Sequence, residues 1–183
     1  MLLALMIVIL SFTNKKQEQQ LIKLDQINIE DSEDRFVTKA LTLEYIRKHN
    51  FDFDSVMLSS FYLNNLEVNL LNHPALKKVE VYSSQEGMLS INLKQREAIV
   101  RIKTSSTDYF LDKDGLEMPL SKDYTPRVLV VSGDVNSSHH SDIFSFIKTI
   151  NKTEFWKSQI TQLHFEADEV IVIPRVGNQK KYF

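Results

Sequence analysis

The chain has 183 residues, 43% of them hydrophobic, which is enough for one medium domain or two small ones with apolar cores. Its 22 basic and 24 acidic residues nearly balance, whereas a surface that tracks phosphates normally carries a basic excess. The absence of cysteine excludes thiol chemistry, disulfides and cysteine-type zinc sites. Composition therefore predicts a globular protein with no nucleic-acid partner.

The first twelve residues, MLLALMIVILSF, are apolar apart from Ser11. As a helix with ~1.5 Å rise per residue they would span about 18 Å, less than the ~30 Å hydrocarbon core of a bilayer. Three interpretations stay open: the end of a transmembrane helix, a cleaved signal peptide without the usual basic region, and a buried core helix. We predict a transmembrane segment over residues 1–14, itself incomplete, and a polar linker over residues 15–20.

Residues 21–103 are predicted to form a small α+β domain. Residues 21–29 have strand character. A helix is predicted from about residue 36 to residue 49, with a cap and an apolar stripe. The strand is defined by Ile22, Leu24, Ile27 and Ile29, the cap is Ser32 or Asp34, and the stripe consists of Phe36, Ala40, Leu43 and Ile46.

A second helix is predicted from residue 64 to His73-Pro74, because a residue before proline is pushed out of the α region. Val79 and Val81 then alternate with polar residues, Glu86-Gly87 supplies a turn, and Leu89, Ile91 and Leu93 alternate on the return. The element order is strand, helix, helix, strand, strand, with two helices on one face of a sheet. Residues 98–103 (AIVRIK) are a further strand, after which we place the domain boundary.

Residues 104–183 are predicted to form a β-rich domain with one or two helices. Asp112-Lys113-Asp114-Gly115 is a tight turn in which Gly115 takes positive φ; a calcium loop is disfavoured because glycine stands fourth instead of sixth. The clearest helix runs from residue 141 to 150. A short turn at residues 153–157 follows, anchored by Phe155 and Trp156.

The last strands are predicted at residues 159–165, with Leu163 and Phe165 inward, at residues 170–173 and at residues 179–183. An exposed sheet edge can accept an added strand from a partner. The candidate partner-binding residues on such edges are Val170, Val172, Gln179, Lys181, Tyr182 and Phe183.

The order of the segments LNHPALKKVEV, GMLSINLKQREAIVRI and DYFLDKDGLEMPL resembles the FtsQ/DivIB family of bacterial cell-division proteins in its Bacteroidetes-like form. The resemblance covers about residues 21–183. It implies a POTRA (polypeptide-transport-associated) domain of βααββ order before a β domain. One departure is Glu97, which follows Arg96 where the family usually has proline.

The same resemblance implies a bitopic inner-membrane protein with a single uncleaved anchor and its soluble domains in the periplasm. It further implies that the β domain binds FtsB and FtsL, so that the protein couples septal cell-wall synthesis partners in the divisome. We expect no catalytic residue, no cofactor, no metal and no small-molecule substrate.

Two alternatives belong to other classes. A POTRA-bearing outer-membrane assembly or secretion factor would share the first half of the chain. A secreted enzyme would have as candidate catalytic residues only Asp112, Asp114 and the His139-His140 pair. No nucleophile, phosphate-binding or zinc motif occurs in the sequence.

Overall fold

The computed structural model describes residues 6, 20–30, 32, 35–51, 53, 56–166, 169–176 and 181–182. The chain divides into two compact units, Met1–Asp31 with Val37–Gln95 and Ser32–Phe36 with Arg96–Phe183. Apart from Met6 and Gln20, the predicted anchor and linker lie outside the described residues. In the part of the chain that is described, no helix is both long and apolar enough to cross a membrane.

The first unit has the predicted βααββ order. It consists of β1 (Lys23–Ile29), α1 (Lys39–Lys48), α2 (Leu63–Leu71), β2 (Leu76–Ser83) and β3 (Met88–Gln95). Its three-stranded sheet has the order β1-β3-β2. The central strand, β3, is parallel to β1 and antiparallel to β2. Leu89, Ile91 and Leu93 on β3 are buried, as predicted from their alternation.

A bulge in β1 explains why its apolar residues change parity. Ile22 and Leu24 alternate, but Ile27 continues the pattern out of phase. Leu24 pairs with Leu89 and Gln26 with the next residue of β3, so Asp25 is the extra residue of a bulge. The bulge brings both Ile22 and Ile27 into the core, where they are 2% and 5% exposed.

Helix α1 begins later than predicted. Its N-cap is Thr38, whose Oγ1 accepts a hydrogen bond from the Leu41 N–H at 3.2 Å. The predicted caps were therefore wrong: Ser32 precedes the helix by several residues, and Asp34 lies outside the described residues. Ala40 is exposed and does not belong to the buried stripe, which in the structure consists of Thr42 and Ile46.

Phe36 is buried but is not part of α1. Its ring lies edge-on to Phe110, with centroids 5.6 Å apart, and to Tyr124 at 5.3 Å. Phe36 thus belongs to the core of the second unit, although it stands in the sequence between two elements of the first.

Helix α2 ends at Leu71, just before the predicted stop at His73-Pro74. The Nδ1 atom of His73 accepts a hydrogen bond from the Ala75 N–H at 3.2 Å, which fixes the turn into β2. Burial lowers the pKa of His73 below its ordinary value of 6.5, because desolvation disfavours the charged ring. The neutral ring with a free Nδ1 lone pair is therefore the form that this turn requires.

The second unit is a seven-stranded sheet with two helices. Its order is β10-β9-β8-β7-β4-β5-β6. The strands are β4 (Ala98–Lys103), β5 (Asp108–Asp112), β6 (Glu117–Met118), β7 (Leu129–Gly133), β8 (Ile160–Glu166), β9 (Glu169–Pro174) and β10 (Lys181–Tyr182); the helices are α3 (His140–Asn151) and α4 (Glu154–Gln159).

The predicted domain boundary at residue 103 was wrong. Strand β4 pairs with β5 and β7 in the second sheet, and the division falls between Gln95 and Arg96. The physical reason is burial: Val100 and Ile102 are 0% exposed and belong to the second core. A strand signal alone does not say which sheet a strand joins.

The core of the second unit lies between the sheet and α3. Ile143 and Ile147 of α3 are buried there, whereas Phe146 is exposed. The prediction that Phe155 and Trp156 anchor α4 was wrong, because they are 60% and 51% exposed.

Candidate partner-binding edge of the second sheet

Strands β8, β9 and β10 form one end of the seven-stranded sheet. Strand β9 pairs antiparallel with β8, and Val172 lies opposite Leu163. On its other side β9 pairs with β10, where Lys181 lies opposite Val172 and Tyr182 opposite Ile171. Among the described strands, β10 is the outermost at this end.

Val172 is not an edge residue, because it pairs with β8 on one side and with β10 on the other, so its backbone is not available to an added strand. Val170 pairs with β8, and the described part of β10 covers only Ile171 and Val172. Both valines are half-buried and pack against the core of the second unit. The prediction of Val172 as an edge residue was therefore wrong, and that of Val170 stays a prediction.

Lys181 and Tyr182 are the two candidate residues that the structure places on an outermost strand. Gln179 and Phe183, the other two predicted on this segment, lie outside the described residues. The candidate edge is therefore defined as the backbone of β10, with the β8–β9 ladder as its support.

The ladder beneath this edge rests on buried side chains of both sheet faces and on a polar network. Leu163 and Ile171, which the register places on opposite faces, are 1% and 4% exposed. On the neighbouring strand, the Ser132 hydroxyl lies 2.9 Å from Nδ1 of His164 and accepts a hydrogen bond from Nε2 of Gln162 at 2.8 Å. These bonds tie β7 to β8 through side chains as well as through the ladder.

The Asp112 turn is the most buried charged feature of the second unit. Asp112 is 1% exposed, and its Oδ2 accepts a hydrogen bond from Nη1 of Arg96 at 2.7 Å. Its Oδ1 accepts from the N–H groups of Asp114 and Leu116 at 2.9 and 2.8 Å. Gly115 has a φ of 77°, which confirms the predicted tight turn. All these partners of the carboxylate are groups of the same unit, so its role is structural: it holds the turn in place.

A second ion pair braces the β4–β5 hairpin. Nε and Nη2 of Arg101 donate to the two carboxylate oxygens of Asp108, both at 2.7 Å. These hydrogen bonds lower the pKa of Asp108 and raise that of Arg101. The guanidinium also lies 5.8 Å from the centroid of the Phe110 ring.

His139 and His140, the histidine pair of the enzyme alternative, are half-buried. Nδ1 of His139 accepts from the Asn136 N–H, as part of a capping box. Nε2 of His140 lies 2.7 Å from the Tyr109 hydroxyl, whose pKa is raised by burial. Among the described residues, no three His, Cys, Asp or Glu side chains converge to hold a metal ion.

Sequence reasoning missed one surface feature. Phe155 and Trp156 stack edge-on at 5.2 Å and are both exposed on α4. Two adjacent aromatic residues on a helix lie about 100° apart. Because of this angle, the two rings cannot both point to the centre of one buried helix face, and the sequence therefore indicates at least one exposed ring.

The chain is an α+β protein of two compact units, each built on a mixed sheet with few helices. Residues 97–183 match the family model described as FtsQ/DivIB, C-terminal related. The matched segment begins just before β4 and covers the whole second sheet. No curated protein matches the chain.

The second unit is therefore related to the C-terminal part of the FtsQ/DivIB family, in agreement with the resemblance seen in the sequence. This FtsQ/DivIB-related domain points to a role in cell division.

Proposed function

We propose that this protein is a non-enzymatic, bitopic component of the bacterial divisome that couples septal cell-wall synthesis partners by β-strand addition to its second unit. The observation that carries the proposal is an FtsQ/DivIB-related sheet that has a short strand, β10, as its outermost described strand at one end. The first unit would be a POTRA domain, in keeping with its βααββ order.

Strand addition suits an edge of this kind. An outermost strand offers N–H and C=O groups in a fixed row, and a partner segment completes the ladder. Lys181 and Tyr182 are held in register by Val172 and Ile171. By analogy with the family, the partner segments would be those of FtsB and FtsL.

The topology is a further part of the proposal. Residues 1–14 would anchor the chain in the inner membrane, and both units would lie in the periplasm. The support is the apolar run MLLALMIVILSF at the start of the sequence. Washing membranes with high salt and then extracting them with detergent tests this: an anchored protein is released by detergent alone, and release by salt contradicts the anchor.

Two single proline substitutions at adjacent positions of β10 test strand addition. In an antiparallel ladder, successive residues direct their N–H groups to opposite sides. One of Lys181 and Tyr182 therefore donates toward β9 and the other outward. Proline lacks the N–H but is tolerated where that group faces away from the sheet, so K181P and Y182P form a matched pair.

Thermal unfolding identifies which proline breaks the bond to β9, since that variant melts at a lower temperature. The other variant should keep the parent's stability and yet bind FtsB or FtsL segments at least about tenfold more weakly, as expected for one lost backbone bond plus a clash. Unchanged affinity of that variant would show that no strand is added to β10.

A further inference from the structure

Strand β2 is an outermost strand of the first sheet, and within the described residues it has a ladder with β3 alone. Val79 lies opposite Leu93 and Val81 opposite Ile91. The side of β2 that faces away from β3 is therefore another sheet edge in this chain, on a different unit from β10.

One backbone N–H group on the outward edge of β2 is already hydrogen-bonded to a side chain of the same unit. The Val81 N–H donates to Oε2 of Glu67 at 3.1 Å. Because donors alternate along an antiparallel strand, the N–H and C=O groups of Val79 and Ser83 point the same way as those of Val81. Glu67 lies on α2 and is half-buried. Its carboxylate therefore binds the middle one of the three outward N–H groups, those of Val79, Val81 and Ser83.

The same edge is self-complementary in charge. Lys78 and Glu80 are exposed, lie on one face of β2, and form an ion pair with each other. If two copies of β2 paired antiparallel with Val79 opposite Val79, Lys78 of each copy would lie opposite Glu80 of the other. Opposite charges in directly facing positions stabilise a sheet. Moving the register by two residues would instead place the two Glu80 side chains opposite each other.

We propose that Glu67 is an edge guard that keeps β2 from pairing with β2 of a second copy of this chain. Its carboxylate occupies the outward N–H of Val81 and has no donor of its own to offer an incoming carbonyl. A second copy must displace it to add its strand. This inference does not depend on the proposed divisome role, because β10 and β2 belong to different units.

The test uses the full chain in detergent and compares the sedimentation of variants under identical conditions. Glu67→Ala removes the guard and should shift the protein from the parent's mass to twice that mass. Glu67→Gln keeps an acceptor oxygen and should stay at the parent's mass. Any association through residues 1–14 is common to all variants and cancels in the comparison.

A double variant, E67A with V81P, supplies the matched control. The proline removes the outward N–H of residue 81 but no bond to β3, so the dimer should revert to the parent's mass. Circular dichroism establishes that each variant is folded. A folded E67A protein with the parent's mass would overturn the guard, and so would an E67A dimer that V81P leaves intact. Faster amide exchange at Val81 in E67A, relative to E67Q, is the independent sign that the contact exists.

Discussion

Replacement of Asp112 by alanine should be among the most damaging single changes in the second unit. The carboxylate accepts three hydrogen bonds, from Nη1 of Arg96 at 2.7 Å and from the N–H groups of Asp114 and Leu116 at 2.9 and 2.8 Å. Removal of one partner of a buried ion pair costs about 3–5 kcal/mol, because the other charge is left without compensation. The Arg96 side chain is 21% exposed and keeps some contact with water, so the lower end, about 3 kcal/mol, is expected.

Asp112→Asn separates charge from hydrogen bonding. The asparagine keeps one oxygen for the two backbone N–H groups but presents no negative charge to Arg96. It should lower the free energy of unfolding by about 2 kcal/mol, the value of one charge-assisted bond. The order of stability is therefore parent, then D112N, then D112A.

Urea unfolding followed by tryptophan fluorescence measures this order. Trp156 is the only tryptophan in the chain and lies on α4, so its signal reports on the second unit. Asp123→Ala is the matched control, because Asp123 is exposed and its substitution should change stability by no more than ~0.5 kcal/mol. If D112A unfolds at the same urea concentration as D123A, the buried hydrogen bonds of Asp112 do not stabilise the unit and the reasoning fails.

Three further changes are expected to act through distinct physical causes. Ile91→Asp should destabilise the first unit by at least about 4 kcal/mol, since residue 91 is 0% exposed and the carboxylate would have no partner. Gly133→Ala should cost at least about 3 kcal/mol, because φ is 91° and the new Cβ would collide with a backbone carbonyl of β8. The parent should lose stability as pH falls below the ordinary His73 pKa of 6.5, since the folded state depresses that pKa and the stabilisation is complete only above it; His73→Asn should remove this dependence.

Each of these has a control on the same chain. Asn92→Asp, on the opposite face of β3, places a carboxylate across from Glu80 and should therefore cost no more than about 1 kcal/mol. Equal melts for I91D and the parent would mean that the register is wrong. Gly115→Ala meets no atom within 4 Å and should cost only the ~1–2 kcal/mol of positive φ. An equal effect at both glycines would refute the collision. For His73, urea midpoints between pH 5 and 7 that are parallel in H73N and the parent would assign the pH dependence to another group.

Local pattern was sufficient for strand β3 of the first unit, because its apolar residues alternate along the strand. The alternation at Leu89, Ile91 and Leu93 predicted both the strand and its inward face, and all three are buried. Periodicity could not predict the bulge at Asp25, although the change of parity in β1 was visible in the sequence. A bulge is chosen by the pairing partner, which lies about sixty residues away along the chain.

Long-range placement was beyond the sequence. Phe36 fits the helical stripe of α1 and yet its ring packs on Phe110 and Tyr124. Strand β4 reads as the continuation of the β2–β3 hairpin and instead joins the second sheet. In both cases the decisive contact is tertiary and overrides a correct local signal.

The candidate edge was only half predictable for a related reason. A run such as Val170 to Ile173 looks the same at an edge and in the interior of a sheet, and the structure places it between β8 and β10. The outermost position of Lys181 and Tyr182 depends on the order of the strands, which composition and alternation do not specify.

The most direct test of the proposed role is amide hydrogen exchange of the full chain with and without an FtsB or FtsL segment from the same genome. Strand addition predicts that binding slows exchange at whichever of Lys181 and Tyr182 directs its N–H outward, with the amides of β4 and β5 unchanged. Binding that leaves both β10 amides at their free rates, or that protects residues of the first unit instead, would contradict it.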